Sequence, residues 1–406
     1  MLDPKPTRGE RRVFWRTVLL PSLFLLVAMF NLTLPVAGLK ELIVDDLGGT
    51  PNDASLFFSI EMLAYILFAP LWGLLSDRLN RRRGLVITGF LASGVIYGLY
   101  STVDSLHLLL TLRFVQGAFA VMGWSTLMAM VLDQPDRKKQ GRYMGLMGGA
   151  LSLGVSLGAP FGGILAKAQG SRAPLEVAAA LFVLIGLLSL LLRDSEQKRR
   201  QTSLGEILNT MRQRPRLLVP ALFYFTDRYT VGFFVVLFPL YLGTLGVDDP
   251  AVRGRYLAFF LLPFALLQYW SGRLTERIGP YVPMIGGSLL YGFLLCLVGY
   301  MDLFALWWVM IGLGVLAAVM FPPAILLTAR MSDETTRGSA MGGFNLAGSV
   351  GFAIGPLVGA WAYQLHGYGF AFIVAGSLEI LVAIAALGWL YRFRLSPETP
   401  GEPSSA

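Results

Sequence analysis

Long apolar stretches recur along the whole chain, separated by short clusters of polar and charged residues. They fall at 17–38, 53–76, 84–103, 105–131, 141–166, 173–193, 217–243, 254–274, 280–300, 303–328, 338–363 and 368–391. An α-helix needs about 20 apolar residues to cross a bilayer core. The pattern therefore predicts twelve transmembrane helices, of which the fourth, fifth and eighth carry charge near an end or inside. The first stretch follows a basic lead (Lys5, Arg8, Arg11, Arg12, Arg16), as a signal peptide does. It is longer than the roughly 7–15 apolar residues of such a segment and is read as a retained span.

The polar stretch 194–216 divides six spans from six. The chain parses into a cytoplasmic N-tail (1–16), an N-terminal six-helix bundle (17–193), a cytoplasmic linker (194–216) with a surface helix around Leu204–Met211, a C-terminal six-helix bundle (217–394) and a cytoplasmic tail (395–406). The two halves repeat. Asp136, Gly141, Met144, Gly145, Gly154, Gly158 and Gly162 each lie 197 residues before Asp333, Gly338, Met341, Gly342, Gly351, Gly355 and Gly359. Gly73-Leu74-Leu75-Ser76-Asp77-Arg78-Leu79 matches Gly272-Arg273-Leu274-Thr275-Glu276-Arg277-Ile278 at an offset of 199. Two parallel six-helix repeats are an architecture of transporters that work by alternating access.

Composition narrows the class. Charged residues make up 14% of the chain, against about 25% in an ordinary soluble domain, and mean hydropathy is +0.62. That excludes a soluble enzyme, a fibrous protein and a disordered one. Cys296 is the single cysteine, so no intramolecular disulfide forms, and its apolar surroundings suit a packing role. With His107 and His366 as the only histidines, no metal centre is expected. No P-loop is present, so a proton gradient, and no cofactor, is the expected energy source.

A net charge of +8 would suit a nucleic-acid partner, but the basic residues are placed otherwise. With the N-terminus inside, 26 of the 33 Lys and Arg fall on the cytoplasmic side and 5 on the other, while Arg113 and Arg228 lie within spans. This asymmetry is the positive-inside pattern. It predicts both termini in the cytoplasm of a bacterial inner membrane, a lipid bilayer as partner, no nucleic acid, and a monomer.

The loop after the second span reads Gly73-Leu74-Leu75-Ser76-Asp77-Arg78-Leu79-Asn80-Arg81-Arg82-Arg83. It resembles the signature loop of the major facilitator superfamily, with Asn80 where glycine is usual. The resemblance implies that Gly73, Asp77, Arg78 and Arg81, with Gly272, Glu276 and Arg337 of the second half, latch the two bundles in one conformation. Arg113-Phe114-Val115-Gln116-Gly117 resembles a motif of proton-coupled members. Gly154, Gly158, Pro160 and Gly162 in the fifth span, and Gly355 and Pro356 in the eleventh, resemble the helix-packing motif of the antiporter branch, here with one residue shifted. The resemblance covers nearly the whole chain. It implies an all-α membrane protein of that fold, with twelve helices in two pseudo-symmetric bundles.

Charges inside the spans are the remaining signal, because a charge at mid-membrane is costly unless it serves a site. Glu61, Asp227 and Arg113 are the candidate proton-coupling residues, with Arg113 as the expected partner of Glu61. Asp227 and Arg228 point about 100° apart on a helix, which predicts that they do not neutralise each other. The 197 offset places Arg228 opposite Asn31. Asn31, Gln116, Trp124, Tyr224, Arg228 and Phe321 are the candidate substrate contacts, and Glu379, on a helix peripheral in the family, is read as a structural hydrogen-bonding group. The expected activity is proton-coupled export of a small organic molecule, the alternatives being a nutrient importer or a lipid flippase on the same fold.

Overall fold

Backbone groups in hydrocarbon have no water to bond, so apolar stretches of this length close their hydrogen bonds along their own helices. The computed structural model describes residues 14–79, 82–133, 140–194, 203–333 and 336–393. Spans one to ten are Trp15–Gly38, Pro51–Ser76, Arg82–Tyr100, Leu106–Leu132, Tyr143–Gln169, Ala173–Leu191, Pro215–Thr244, Pro250–Ile278, Tyr281–Tyr300 and Leu303–Arg330. One further helix, Arg337–Phe393, leaves helical geometry at His366 (φ −146°) and Gly367 (φ 78°). The positive φ suits a residue without a Cβ, and the two limbs are spans eleven and twelve. The expected twelve crossings are thus eleven long helices among the described residues, the last of them bent back on itself.

Polar side chains set several starts. Asp249 caps span eight by accepting from Ala251 N at 2.9 Å, and Asp302 caps span ten by accepting from Ala305 N at 2.7 Å. In the linker, Ser203 and Glu206 form a reciprocal capping box at the head of the helix Leu204–Gln213. That helix lies against span eleven, where Ile207 and Met211 sit over Gly342 and Gly343.

Each half closes on itself by the same contacts. Span one packs on span five, span two on span four, and span three on spans four and six; spans seven to twelve repeat the pattern. A Cβ added at Gly154, Gly158 or Gly162 would strike the carbonyls of Leu26, Phe30 or Leu34 in span one. One added at Gly351 or Gly355 would strike those of Phe225 or Tyr229 in span seven. Backbone thus meets backbone, as small residues permit between membrane helices.

The bundles meet along span five against span eight and span two against span eleven. The first contact starts at the end opposite the basic loops, where Gly163 faces the Pro250 carbonyl and Gly254 faces Ala159 and Pro160. It continues through Ser156 Oγ, which donates to Leu261 O at 2.8 Å, and Gln268 Nε2, which donates to Ser152 Oγ at 3.3 Å. Beyond that point it stops. A Cβ at Gly145, Gly148, Gly149 or Gly272 would meet nothing within 4 Å. Arg253–Glu41 and Lys167–Asp249 ion pairs join the bundles at the closed end. The two bundles are therefore sealed at one face and parted toward the basic one.

Candidate functional site

Two buried polar clusters sit in the helices, one per bundle. In the N-terminal bundle the Arg113 guanidinium is wholly buried and each of its nitrogens has a partner. It pairs with Glu61 of span two, donates to Tyr97 Oη at 2.6 Å and Gln116 Oε1 at 3.2 Å, and reaches Phe57 O at 3.4 Å. Its flat face lies 4.3 Å from the Phe57 ring. Tyr65 Oη donates to the second oxygen of Glu61 at 2.9 Å. The carboxylate thus has a partner on each oxygen, the condition under which a buried ion pair is tolerated.

Asn31 joins this cluster from inside the bundle. Its Nδ2 donates to Ala178 O of span six at 3.3 Å, and its backbone carbonyl accepts from Tyr97 Oη at 3.2 Å. The packing register shows what Asn31 corresponds to in the second half. Carbonyls 26 and 30 play the part of 225 and 229, an offset of 199, so Asn31 corresponds to Thr230 and Arg228 to Met29. The expected match of Asn31 with Arg228 is corrected accordingly. Trp124, half-buried, packs against the Tyr65 ring at 5.6 Å.

In the C-terminal bundle, Arg228 turns back on its own neighbour. Its Nε donates to Asp227 Oδ2 at 2.8 Å, so the two do neutralise each other, contrary to the 100° argument. The arginine stem has enough rotatable bonds to fold back over that angle. The guanidinium lies 5.4, 5.2 and 5.1 Å from the rings of Tyr224, Phe264 and Phe321, within cation–π range. Phe344 of span eleven stacks on Tyr224 at 4.1 Å. Four spans thus build an aromatic box whose charges are balanced internally. Phe264 and Phe344 were not legible as box members, because an aromatic residue in an apolar run carries no distinguishing signal.

Glu379 departs from its expected role. It is wholly buried, and neither carboxyl oxygen makes a hydrogen bond among the described residues. In span eight, Tyr269 and Trp270 stand exposed with Arg273 over both rings.

Of the latch residues, Gly73 is buried in span two, while Arg78, Glu276 and Arg337 are exposed and Gly272 faces open space. Arg81 and the side chain of Asp77 lie outside the described residues. The neighbouring Arg82, which sequence reasoning passed over within its arginine run, is buried and paired with Asp133 at the end of span four at 2.9 Å. Pro160 and Pro356 sit inside their helices beside the packing glycines. Among the described residues no group of three or more His, Cys, Asp or Glu is placed to hold a metal ion.

The sequence profile of the Major Facilitator Superfamily matches residues 21–259 and 249–406. Multidrug resistance protein MdtG of Escherichia coli is 24% identical over 408 residues, covering 96% of this chain and 98% of that one. The chromaffin granule amine transporter of Rattus norvegicus is 25% identical over 337 residues, 81% of this chain. The chain spans 64% of that transporter's length. Among solved structures, a bacterial homolog of the human lysosomal transporter Spinster superposes with a TM-score of 0.75 at 15% identity, covering 96% of each chain. A point mutant of the nucleoside transporter NupG also gives 0.75, at 14% identity over 91% of this chain and 98% of that one.

Proposed function

This chain belongs to the major facilitator superfamily, and from that premise we propose that it exports small amphipathic or cationic organic molecules in exchange for protons. The observation that carries the reading is the aromatic box around Arg228, set in the bundle that parts from its partner toward the basic face. A box of Tyr224, Phe264, Phe321 and Phe344 already accommodates one organic cation, the guanidinium of Arg228. Its formal charge is cancelled by Asp227, so a guest meets aromatic faces and one polar pair. That chemistry suits drug-like amphiphiles better than sugar phosphates. The names of the bacterial relative, a multidrug resistance protein, and of the amine transporter agree with such guests.

The basic face is the cytoplasmic one in this reading, and the membrane is a bacterial inner membrane. Substrate enters the parted face, the bundles rock about the box, and the sealed face opens. Asp227 couples the cycle to protons, since a cationic guest seated against its carboxylate takes the place a proton would occupy. Glu61 and Arg113 form the corresponding switch in the first bundle, and Gly73, Asp77, Arg78 and Arg81, with Gly272, Glu276 and Arg337, latch the basic face when it closes.

The test is proton release from purified protein in weakly buffered detergent. Lipophilic cations, antibiotics, sugars, amino acids and organic acids are added in turn. Release is expected for the amphipathic class, and is lost in Asp227→Asn. Binding of that class without release argues against exchange and for a uniporter or symporter.

A further inference from the structure

Glu379 of span twelve is the buried carboxyl that nothing in the exchange cycle uses. Among the described residues it is joined to no cation, and neither of its oxygens makes a hydrogen bond. Three hydroxyls face it, Thr226 and Thr230 from span seven and Ser288 from span nine. Each hydroxyl also has an acceptor on its other side. Thr226 Oγ1 lies 3.1 Å from Leu222 O and Phe223 O, Thr230 Oγ1 donates to Asp227 O at 3.0 Å, and Ser288 Oγ points to Met320 Sδ at 3.6 Å. A hydroxyl so engaged can still accept a hydrogen from Glu379. Wholly buried with no cation and no hydrogen bond among the described residues, the carboxyl is costly as an anion and is accommodated as the neutral acid.

The fold does not require an acid here. A Cβ at Gly94 of span three would meet Ala179 and Val183 of span six, and one at Gly292 of span nine would meet Gly376 and Ile380 of span twelve. The partners in spans six and twelve share an offset of 197, so Glu379 occupies the place of Phe182. Phe182 is buried and packed against Phe90 and Tyr97. The first bundle fills that position with an apolar ring.

The titratable and charged groups facing Glu379 are Asp227 with its partner Arg228 from span seven and Tyr291 from span nine. Tyr291 Oη and Asp227 Oδ1 are themselves buried without a hydrogen-bond partner. One cation thus serves two carboxyls, and Asp227 holds it.

We propose that Glu379 is a proton-binding site of the C-terminal bundle, loaded in the conformation described here, and that Asp227 is the carboxyl with which it exchanges that proton. The inference deepens the proton-coupled reading and rests on it for its role in transport. Span seven stands between the two environments, with Thr226 and Thr230 toward Glu379 and Arg228 toward the box. When Arg228 withdraws, the O–H bond at Glu379 breaks as one forms at Asp227. The negative charge moves from Asp227 to Glu379, and the proton gains a route to the parted face.

Two measurements on the full chain test this. Infrared difference spectra across a pH titration report protonated carboxyls through their C=O stretch. A band present at neutral pH is expected in the wild type and in Glu61→Gln, and lost in Glu379→Gln. A band that survives in Glu379→Gln, or is absent from the wild type, overturns the assignment. In proteoliposomes, tetraphenylphosphonium serves as the probe. Glu379→Gln is expected to retain exchange while its gradient-driven accumulation falls to a ratio of 1, and Glu379→Asp, which keeps the acid, restores accumulation with a displaced pH profile. Full accumulation by Glu379→Gln overturns a role in coupling. If the wild type exchanges the probe but ignores the gradient, the proton-coupled reading fails, while the infrared result still decides where the proton resides. Should Glu379→Gln not fold, loss of the band in Glu379→Phe, which copies the ring of Phe182 in the first bundle, decides the same point.

Discussion

Arg253, wholly buried at the start of span eight, pairs with Glu41 just beyond span one. The two residues are 212 positions apart and belong to different bundles, so this pair fastens the sealed face. Removing one partner of a buried pair strands the other, a loss of about 3–5 kcal/mol. Arg253→Ala is therefore expected to move much of the population to a state open at that face. Spin labels at Asp45 and Asp248 would report a longer distance component, and an unchanged distribution would contradict the assignment.

The companion pair behaves differently. Lys167 and Asp249 also bridge the bundles, with 60% and 29% of their side chains exposed. The hydrogen bond from Lys167, helped by the backbone N–H groups at the cap, holds the Asp249 carboxyl below its ordinary value. A lowered pKa contributes stability that is present above the ordinary aspartate range, about 3.9, and is lost as pH falls through the lowered value. Solvent screening limits the effect to less than about 1 kcal/mol. The label distances should loosen slightly only under strong acid, and Asp249→Asn should remove that acid-side change.

Glycine tolerance should follow the map of backbone contacts. A Cβ at Gly162 overlaps the Leu34 carbonyl, whereas one at Gly148 meets open space. Overpacking of this kind typically costs about 1–3 kcal/mol. Gly162→Ala is expected to lower the unfolding temperature in detergent, and Gly148→Ala to leave it nearly unchanged. Equal shifts in the two would mean that spans one and five do not pack as described.

The first bundle offers a double-mutant test. Arg113→Ala leaves Glu61 buried with no cation, and a loss of about 3–5 kcal/mol is expected. Adding Glu61→Gln removes the stranded charge, so the double variant should be more stable than Arg113→Ala alone. Thermal unfolding of all four proteins measures the coupling, and strict additivity would show that the pair is not energetically joined.

Much of this was legible in the residues themselves. A charge inside an apolar run has few tolerable solutions, which is why Glu61 and Arg113, at similar depth, could be matched before their helices were placed. The glycine spacing of 154, 158 and 162 likewise foretold a close helix contact, though not which carbonyls would meet it. Asp227 and Arg228 misled for a local reason. Ideal helical angles place backbone vectors, while a long side chain is free to fold back along its own turn. Glu379 misled because span twelve was treated as peripheral, when its inner face packs directly on spans seven and nine.

The division between the two sources of information has a physical basis. Apolar run length, the asymmetry of basic residues and the repeat are one-dimensional properties, and the bilayer acts on them directly, so the sequence alone determined an all-helical membrane protein with two related bundles. The aromatic box needs rings from spans seven, eight, ten and eleven, and the isolation of Glu379 depends on which side chains the packing of spans seven, nine and twelve brings beside it. Those facts are distances between residues far apart in the chain, and only the packed tertiary structure decided them.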